Sequence, residues 1–213
     1  MKKKVLILAL AVALIAIVVG GTLAYFTAED EATNTFTIGS VKIDVVEDFQ
    51  HPETMIPVVK ADESDPNYIN KDARVKNVGD NAAYVQMYVA IPKALDDAGA
   101  FIVVDANTGD WTVRAPAGTA DFGGVTYNVY MYRYKGSLAV NTETSNAITA
   151  AYLAPQLDYD HDANRFVMNG TKIADYIPGE SIDIYVAAQA IQAAGFDGYD
   201  SALNNFTTHP WAN

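Results

Sequence analysis

Apolar and polar side chains alternate with a period of two along much of this chain. The alternation is clearest at residues 41–45, 83–91 and 125–134. Such a period is typical of β-strands that bury one face and expose the other. Shorter stretches of the same kind predict further strands, which are residues 73–78, 101–104, 111–114, 166–173 (a hairpin around Asn169-Gly170) and 182–191. The pattern slips by one position at Gly39-Ser40, which indicates a bulge or hinge there.

Helical periodicity is weak by comparison. Residues 92–98 predict one or two helical turns, and residues 201–206 predict a short terminal helix. The Ala- and Thr-rich segment 143–154 is interpreted as a short helix. Residues 47–70 are rich in Pro, Asp, Glu and Asn, which is typical of a long surface loop. Short strands between turn signals, without a βαβ rhythm, predict an all-β fold, a single antiparallel β-sandwich domain over residues 40–213.

The N-terminus has the layout of an export signal. Three lysines at residues 2–4 precede a run of 24 residues, from Val5 to Ala28, without a charged side chain. A basic segment, an apolar segment and then small residues make a secretory signal peptide. We expect residues 1–24 to be removed by cleavage between Ala24 and Tyr25. The alternative is an uncleaved anchor, because a run of this length spans a bilayer as a helix.

Net charge and cysteine content restrict the partners and the chemistry. There are 26 acidic and 14 basic residues, which give a formal net charge of −12. Loss of the three N-terminal lysines leaves 11 basic residues and a net charge of −15. Binding to nucleic acid or to an anionic membrane surface is therefore disfavoured, and membrane contact is expected only before cleavage. The absence of cysteine excludes a disulfide framework, a thiol nucleophile and Cys-ligated metal sites.

Few residues of this chain are suited to catalysis. The three histidines, His51, His161 and His209, lack the helical spacing of a zinc motif. No G-x-S-x-G elbow and no phosphate-binding loop occurs in the sequence. We therefore expect no catalytic residues and no enzyme activity.

Oxygen ligands at alternate positions distinguish one acidic segment. Asp158, Asp160 and Asp162 have the spacing with which calcium loops wrap a hard cation. The segment lacks the glycine of such loops at the sixth position, Ala163, and the glutamate at the twelfth, Asn169. It is a candidate Ca²⁺ site, and an acidic surface turn is the alternative. We expect no other cofactor.

The 13 tyrosines need an explanation as well. Several lie at strand spacing on faces that we interpret as outward or half-buried, and these are Tyr84, Tyr88, Tyr130, Tyr132 and Tyr134. Cross-strand packing accounts for them, and an aromatic platform for carbohydrate is the alternative.

Two N-terminal motifs and four short interior ones are similar to those of one known family. They are residues 20–27 (GGTLAYFT), 32–39 (ATNTFTIG), 75–79 (VKNVG), 83–85 (AYV), 89–92 (VAIP) and 190–196 (AIQAAGF). With them the chain resembles the TasA/camelysin (CalY)-like family, the SipW-dependent secreted biofilm matrix proteins of Gram-positive bacteria. The resemblance covers the signal and, discontinuously, most of the domain.

The resemblance implies a jelly-roll β-sandwich that polymerises into extracellular fibres. In that family the N-terminal segment, freed by a SipW-type signal peptidase, adds as a strand to the next subunit. Carried over to this chain, residues 25–39 hold the donor strand, roughly Tyr25 to Thr35, and a hinge. The assembly residues are then Tyr25, Phe26, Thr33, Phe36, Ile38 and Gly39. Three consecutive acids at residues 29–31 depart from a fully buried donor, so only one face or the ends can be covered.

Assembly also has a physical reason that does not depend on the resemblance. The extended N-terminal segment carries apolar Tyr25 and Phe26 near one end and Phe36 and Ile38 near the other. A sheet edge offers unpaired N–H and C=O groups that such a segment can satisfy. A subunit that both donates and accepts a strand forms an open head-to-tail filament. The alternative is that residues 25–38 fold back onto their own domain and give a monomer.

Two other functions stay open. With an uncleaved N-terminus the chain is an envelope-anchored adhesin or binding module. A secreted metallopeptidase is the other, because some camelysin-like proteins carry that label. As partners of a fibre subunit we expect further copies of this chain, a SipW-type signal peptidase and an accessory matrix protein. The expected location is the extracellular matrix or the cell surface.

Overall fold

Antiparallel strands dominate the fold, as the alternation predicts. The computed structural model describes residues 40–49, 57–58, 64–106, 109–173 and 182–212. Within these residues the strands are β1 (Ile43–Phe49), β2 (Ile69–Asn77), β3 (Ala83–Pro92), β4 (Phe101–Asp105), β5 (Ala115–Phe122), β6 (Val125–Arg133), β7 (Ile148–Leu153), β8 (Leu157–Asp160), β9 (Arg165–Met168), β10 (Thr171–Lys172) and β11 (Tyr185–Gln192). The helices are α1 (Lys93–Asp97) and α2 (Tyr199–Leu203), each five residues long. The prediction of an all-β fold with short helices in its connections is confirmed.

The strands form two four-stranded sheets and a small third one. The first sheet has the order β1-β2-β7-β4, the second β11-β3-β6-β5, and the third β10-β9-β8. The paired strands are nested along the chain. The hairpin β5–β6 lies in sequence between the paired strands β4 and β7, and these lie in sequence between the paired strands β3 and β11. Such nesting is the topology of a long hairpin rolled into two sheets, as in a jelly roll.

The main core lies between the two larger sheets. It combines inward side chains of β2 and β3 with those of β4, β6 and β7, and the largest of them include Met87, Ile91, Tyr132 and Ile148. Leu95 of α1 is fully buried in the same core, which explains why so short a helix is held in place. The sandwich is therefore closed by packing and needs no disulfide.

A second, smaller core covers the outer face of the second sheet. Tyr88, Ala90 and Val129 are buried there on the side of the sheet that faces away from the main core. The covering layer comes from the C-terminal residues, where His209 is 7% exposed and Trp211 packs on the cluster. Strand β3 is consequently buried on both faces from Val85 onward.

Two predictions about local structure are wrong. Residues 143–154 do not form a helix, because residues 148–153 are the strand β7, which lies between β2 and β4. Pairing on both sides outweighs the moderate helix propensity of an Ala-rich segment. Residues 111–114 are not a strand either, since Trp111 makes one isolated bridge to Tyr134 and the strand β5 starts later, at Ala115.

Other elements lie close to their predicted positions. The hairpin around Asn169-Gly170 is present as β9 and β10, and the turns predicted at residues 92–98 and 201–206 correspond to α1 and α2. The predicted loop 47–70 is shorter, because β1 extends to Phe49 and β2 begins at Ile69. Its described residue Val58 is 1% exposed and donates its N–H to the carbonyl oxygen of Leu153 at 3.1 Å, so it belongs to the core.

The predicted signal peptide and donor segment lie outside the described residues. This applies to the cleavage site Ala24/Tyr25, to Phe26, Thr33, Phe36 and Ile38, and to the hinge residue Gly39. In the part of the chain that the structure does describe, neither helix has the length and apolar character needed to cross a bilayer.

Candidate assembly edge

Each of the two larger sheets ends in two edge strands. These are β1 and β4 in the first sheet and β11 and β5 in the second. An edge strand presents unpaired backbone groups, and natural proteins protect such edges with charge, proline, bulges or shortness. The four edges therefore show where a further strand can add.

Three of the four edges carry such protection. β1 has Asp44, Glu47 and Asp48 among its seven residues. β5 contains Pro116, and its register with β6 shifts between Pro116 and Gly118. β4 is only five residues long and ends in an aspartate.

The edge strand β11 has none of these features. Its eight residues, YVAAQAIQ, include no charge, no proline and no glycine. It pairs in regular register with β3 from Tyr185 to Gln192, and this is its one strand partner in the described part of the chain. A long, regular and uncharged edge is the kind to which another strand adds readily.

The backbone groups that β11 directs outward follow from its ladder with β3. Just beyond the strand, the N–H of Ala193 donates to the carbonyl oxygen of Ala82 at 2.8 Å. Because successive residues of an antiparallel strand point their backbone groups to opposite sides, odd-numbered residues of β11 face β3. Val186, Ala188 and Ala190 therefore direct their N–H and C=O groups to the open edge.

The core is incompletely covered beside this edge. β1 of the first sheet lies next to β11 of the second, and the two belong to different sheets. Apolar side chains of these two strands, and of the few residues that precede each strand, pack on the main core but are only half-buried. They are Val41, Ile43, Ile182, Ile184, Val186, Ala188 and Ala190. We call this line of residues the β1/β11 seam. An added strand would find both unpaired backbone groups and apolar surface there.

A polar network fixes β11 from its other face. The amide nitrogen of Gln86 donates to the Tyr88 hydroxyl at 2.6 Å and to Oε1 of Gln189 at 3.0 Å. The Tyr88 hydroxyl donates to the same oxygen at 2.8 Å. Nε2 of Gln189 in turn donates to the carbonyl oxygen of Thr208 in the C-terminal segment. The edge strand is thus held in position between β3 and that segment.

The described chain enters the domain at a fixed point. The N–H of Asp80 donates to the carbonyl oxygen of Ser40, and the N–H of Val78 donates to that of Lys42, both at 2.9 Å. Gly79 allows this contact, because a Cβ on it would lie 2.6 Å from the Ser40 oxygen and the Lys42 nitrogen. The described chain therefore begins beside the β2–β3 turn.

The aspartates of the calcium prediction are not brought together. No group of three His, Cys, Asp or Glu side chains that could hold a metal ion exists within the described ranges. Oδ1 of Asp158 accepts from the N–H of Tyr159, and Oδ1 of Asp160 accepts from the N–H of Ala163. Asp160 also lies 3.5 Å from Arg165. These contacts are those of an acidic turn between β8 and β9, so calcium binding stays a prediction without a preformed site.

Two of the three histidines can be located. His161 is exposed on the β8–β9 turn, and its ring meets that of Tyr159 edge-on. His209 is buried against Tyr88 and Trp211, on the opposite face of the second sheet from the main core. His51 lies outside the described residues.

A cavity of about 350 Å³ between α1 and the β9–β10 hairpin is lined by residues that include Asp97 and Lys172 but no histidine.

The interpretation of the tyrosines is partly wrong. Tyr132 is 1% exposed in the main core, which contradicts the interpretation, whereas Tyr130 and Tyr134 are half-buried against the same core, as expected. Tyr88 faces outward from the sandwich, as expected, but it is buried by the C-terminal segment. Only Tyr84 of the set is half-buried on that face. The strand tyrosines therefore serve packing and do not form an open platform.

Burial also keeps several phenol groups protonated. Desolvation raises the pKa of Tyr88, Tyr127 and Tyr130 to about 12. For Tyr130 a second cause is the hydrogen bond to Asp96. Burial likewise raises the pKa of Tyr132, whose hydroxyl donates to Oδ1 of Asp105 at 2.7 Å. None of these groups is an ionised nucleophile or base near neutral pH.

The open edge was not identified from the sequence. The signal was available, since residues 185–192 are an uncharged run in a chain of net charge −12. Which neighbours the strand has, and hence whether it is an edge, is decided by the order of strands in the sheet.

Comparison with known proteins supports the resemblance. The model of the camelysin metallo-endopeptidase family matches residues 1–87. This range covers the predicted signal, the predicted donor segment and the strands β1 and β2, and it ends within β3. No curated protein matches the chain. The resemblance to the TasA/camelysin family is thus confirmed over the first 87 residues.

Proposed function

We propose that this camelysin-like chain is a secreted structural subunit of extracellular matrix fibres. Residues 1–24 are removed by a SipW-type signal peptidase, and the segment Tyr25 to Thr35 of one copy adds as a strand to the next. The observation that carries the proposal is the unprotected outer edge of β11, beside a seam of half-buried apolar side chains. We assign this edge as the acceptor.

The dimensions of the two partners agree. A strand rises about 3.3 Å per residue, so the eight residues of β11 offer roughly 26 Å of edge. The donor segment of 11 residues is long enough to cover it. Because successive residues of a strand point to opposite faces, the three acids at residues 29–31 cannot all remain in water within an added strand, so we expect the contact toward the ends of the segment, on either side of them.

The proposed donor joins the domain at Ser40, whose carbonyl oxygen accepts from the N–H of Asp80 in the β2–β3 turn. A membrane-held N-terminus could not insert into a neighbour, so cleavage licenses assembly. Where each copy donates to one neighbour and accepts from another, growth is head-to-tail and open.

The family name supports a second candidate, a metallo-endopeptidase. Such an enzyme needs three protein ligands and an open position on its metal. The described residues contain no group of ligands of this kind. We therefore propose a non-enzymatic role, without cofactor, and the peptidase becomes an outcome of the tests. An accessory matrix protein remains an expected partner.

Electron microscopy and sedimentation of the purified chain, starting at Tyr25, test the fibre. We expect filaments at high concentration, and a version starting at Gly39 should stay a folded single particle. Filaments from the shortened version, or single particles from both, would contradict the proposal. Mass spectrometry that finds residues 1–24 on the exported protein would favour the anchored adhesin instead.

Two proline variants test the acceptor edge. Ala188→Pro removes an N–H that points to the open edge, whereas Ala187→Pro removes one from the ladder with β3. We expect Ala188→Pro to fold normally, by circular dichroism and thermal melting, and to stop filament growth. Ala187→Pro should instead lower the melting temperature of the domain. A folded Ala188→Pro protein that assembles like the wild type would exclude β11 as the acceptor.

Casein hydrolysis by the purified protein tests the peptidase. Activity that a chelator abolishes and that is lost in His161→Ala would establish the second candidate. The same assay on Ala188→Pro separates the two functions, because an edge variant should leave a metal site unaffected.

A further inference from the structure

We propose that Asn169 is a site of spontaneous modification, at which the side-chain amide is lost through cyclisation onto the backbone nitrogen of Gly170. The two residues form the turn between β9 and β10, with φ of 52° and 76°. Both values are positive, as in the type I′ turn that joins two-residue hairpins. The proposal is independent of the fibre function.

The reacting groups are exposed to solvent and make no hydrogen bond in the described structure. Asn169 and Gly170 are both exposed, and a Cβ on Gly170 would meet nothing within 4 Å. The backbone N–H of Asn169 donates to Gln156 at 3.3 Å. In the described structure, the side-chain amide of Asn169 and the N–H of Gly170 make no hydrogen bond. Neither group therefore has a native contact to lose before it reacts.

The reaction needs only water as co-reactant. The nitrogen of Gly170 forms a bond to Cγ of Asn169 and loses its proton, while the Cγ–Nδ2 bond breaks and ammonia leaves with that proton. The product is a five-membered succinimide. Water then opens the ring at Cγ, which gives aspartate, or at the backbone carbonyl, which gives isoaspartate. A residue without a side chain after the asparagine leaves the attacking nitrogen unhindered.

Ring closure needs rotation about the Asn169 backbone, which local opening of the hairpin permits. The hairpin is well suited to open, because β10 has two residues, both exposed, and its register with β9 comprises two pairs. Short hairpins at the edge of a small sheet belong to the least stable parts of a fold. We infer that the folded state protects Asn169 only weakly.

Conversion changes the turn in two ways. Either product adds a negative charge to a chain that already has a net charge of −12. Isoaspartate also lengthens the backbone by one carbon, and a two-residue turn then no longer places Met168 opposite Thr171. The isoaspartate form should therefore lose the β9–β10 pairing while both large sheets persist, whereas the aspartate form keeps a sequence that suits the turn.

The chain contains a matched internal control. Asn164 is exposed and has a positive φ of 49°, like Asn169, but Arg165 follows it. Its side-chain oxygen accepts from the Tyr159 hydroxyl. Asn164 thus shares the backbone conformation and the solvent exposure but differs from Asn169 in the residue that follows and in this side-chain hydrogen bond.

Peptide mapping by mass spectrometry tests the proposal. The full chain is incubated at mildly alkaline pH beside a synthetic peptide of residues 162–174. We expect Asn169 of the folded chain to convert within about tenfold of its rate in the peptide, while Asn164 stays intact. If Asn169 of the folded chain converts more than about tenfold more slowly than in the peptide, or if Asn164 reacts equally fast, the proposal is wrong.

Discussion

The hydroxyl group of Ser40 donates a hydrogen bond to Oδ2 of Asp80 at 2.7 Å. The N–H of Asp80 donates in return to the carbonyl oxygen of Ser40 at 2.9 Å. This reciprocal pair fastens the first described residue to the β2–β3 turn. It places the start of the described chain beside that turn, and it depends on the absence of a side chain at Gly79.

Replacement of Gly79 by alanine should therefore destabilise the domain. The new Cβ would lie 2.6 Å from two backbone atoms, the Ser40 oxygen and the Lys42 nitrogen, so the backbone must move apart. We expect a loss of about 1–3 kcal/mol in the free energy of unfolding, measured by urea denaturation. Gly198→Ala is the control, since its Cβ meets nothing within 4 Å. Equal stability of Gly79→Ala and the wild type would contradict the close contact.

Asn77→Ala should remove the internal brace of the same turn. The side-chain nitrogen of the buried Asn77 donates to the carbonyl oxygens of Asn81 at 2.8 Å and Leu138 at 3.0 Å. Its side-chain oxygen accepts from the N–H of Gly79. Leaving these buried groups without their partner should cost about 2–4 kcal/mol in urea unfolding. Asn70→Ala on the exposed side of β2 is the control, with an expected change below about 0.5 kcal/mol.

The buried tyrosines predict a loss of stability at alkaline pH. The pKa of Tyr88, Tyr127 and Tyr130 is raised to about 12, against an ordinary value of 10.0. Between these values the folded state holds more protons than the unfolded state, so the free energy of unfolding falls as pH rises through that window. Absorbance of the phenolate band should show a late-titrating fraction in the folded protein. That fraction should vanish in urea, and its persistence there would contradict burial as the cause.

Salt should accelerate assembly. After cleavage each copy carries a formal net charge of −15, from 26 acidic and 11 basic residues, so copies repel one another. The screening length falls from about 30 Å at 0.01 M salt to about 8 Å at 0.15 M. Light scattering should therefore show faster filament growth at the higher salt concentration. Slower growth would indicate that attraction between opposite charges dominates the contact, and the version starting at Gly39 should show no growth at either concentration.

Much of the secondary structure was predictable, because each strand buries a face. Val85, Met87 and Val89 alternate with polar or aromatic positions, and they form the inward face of β3. The outward face of the same strand was harder to interpret. Tyr88 has no partner nearby in sequence, and its burial depends on His209 and Trp211, more than 100 residues further along the chain.

Segment 148–153 shows why the remaining elements could not be predicted. Ala150 and Ala151 favour a helix when taken locally, yet they pair with β4 on one side and β2 on the other. The free energy of that position comes from two ladders and a core, which are formed by residues distant in sequence. Local propensity is too small to decide against them.

By itself, the sequence determined that the chain is a disulfide-free, acidic, antiparallel β protein, because alternation, composition and turn residues are local properties. The tertiary structure alone decided which strands lie at the sheet edges, where the chain enters the domain, and which aromatic groups are covered. Each of these depends on pairs of residues that are distant in sequence and meet only when the two sheets close around their core. The assignment of β11 as the acceptor also depends on the tertiary structure, because a strand is an edge only when it has a strand partner on one side.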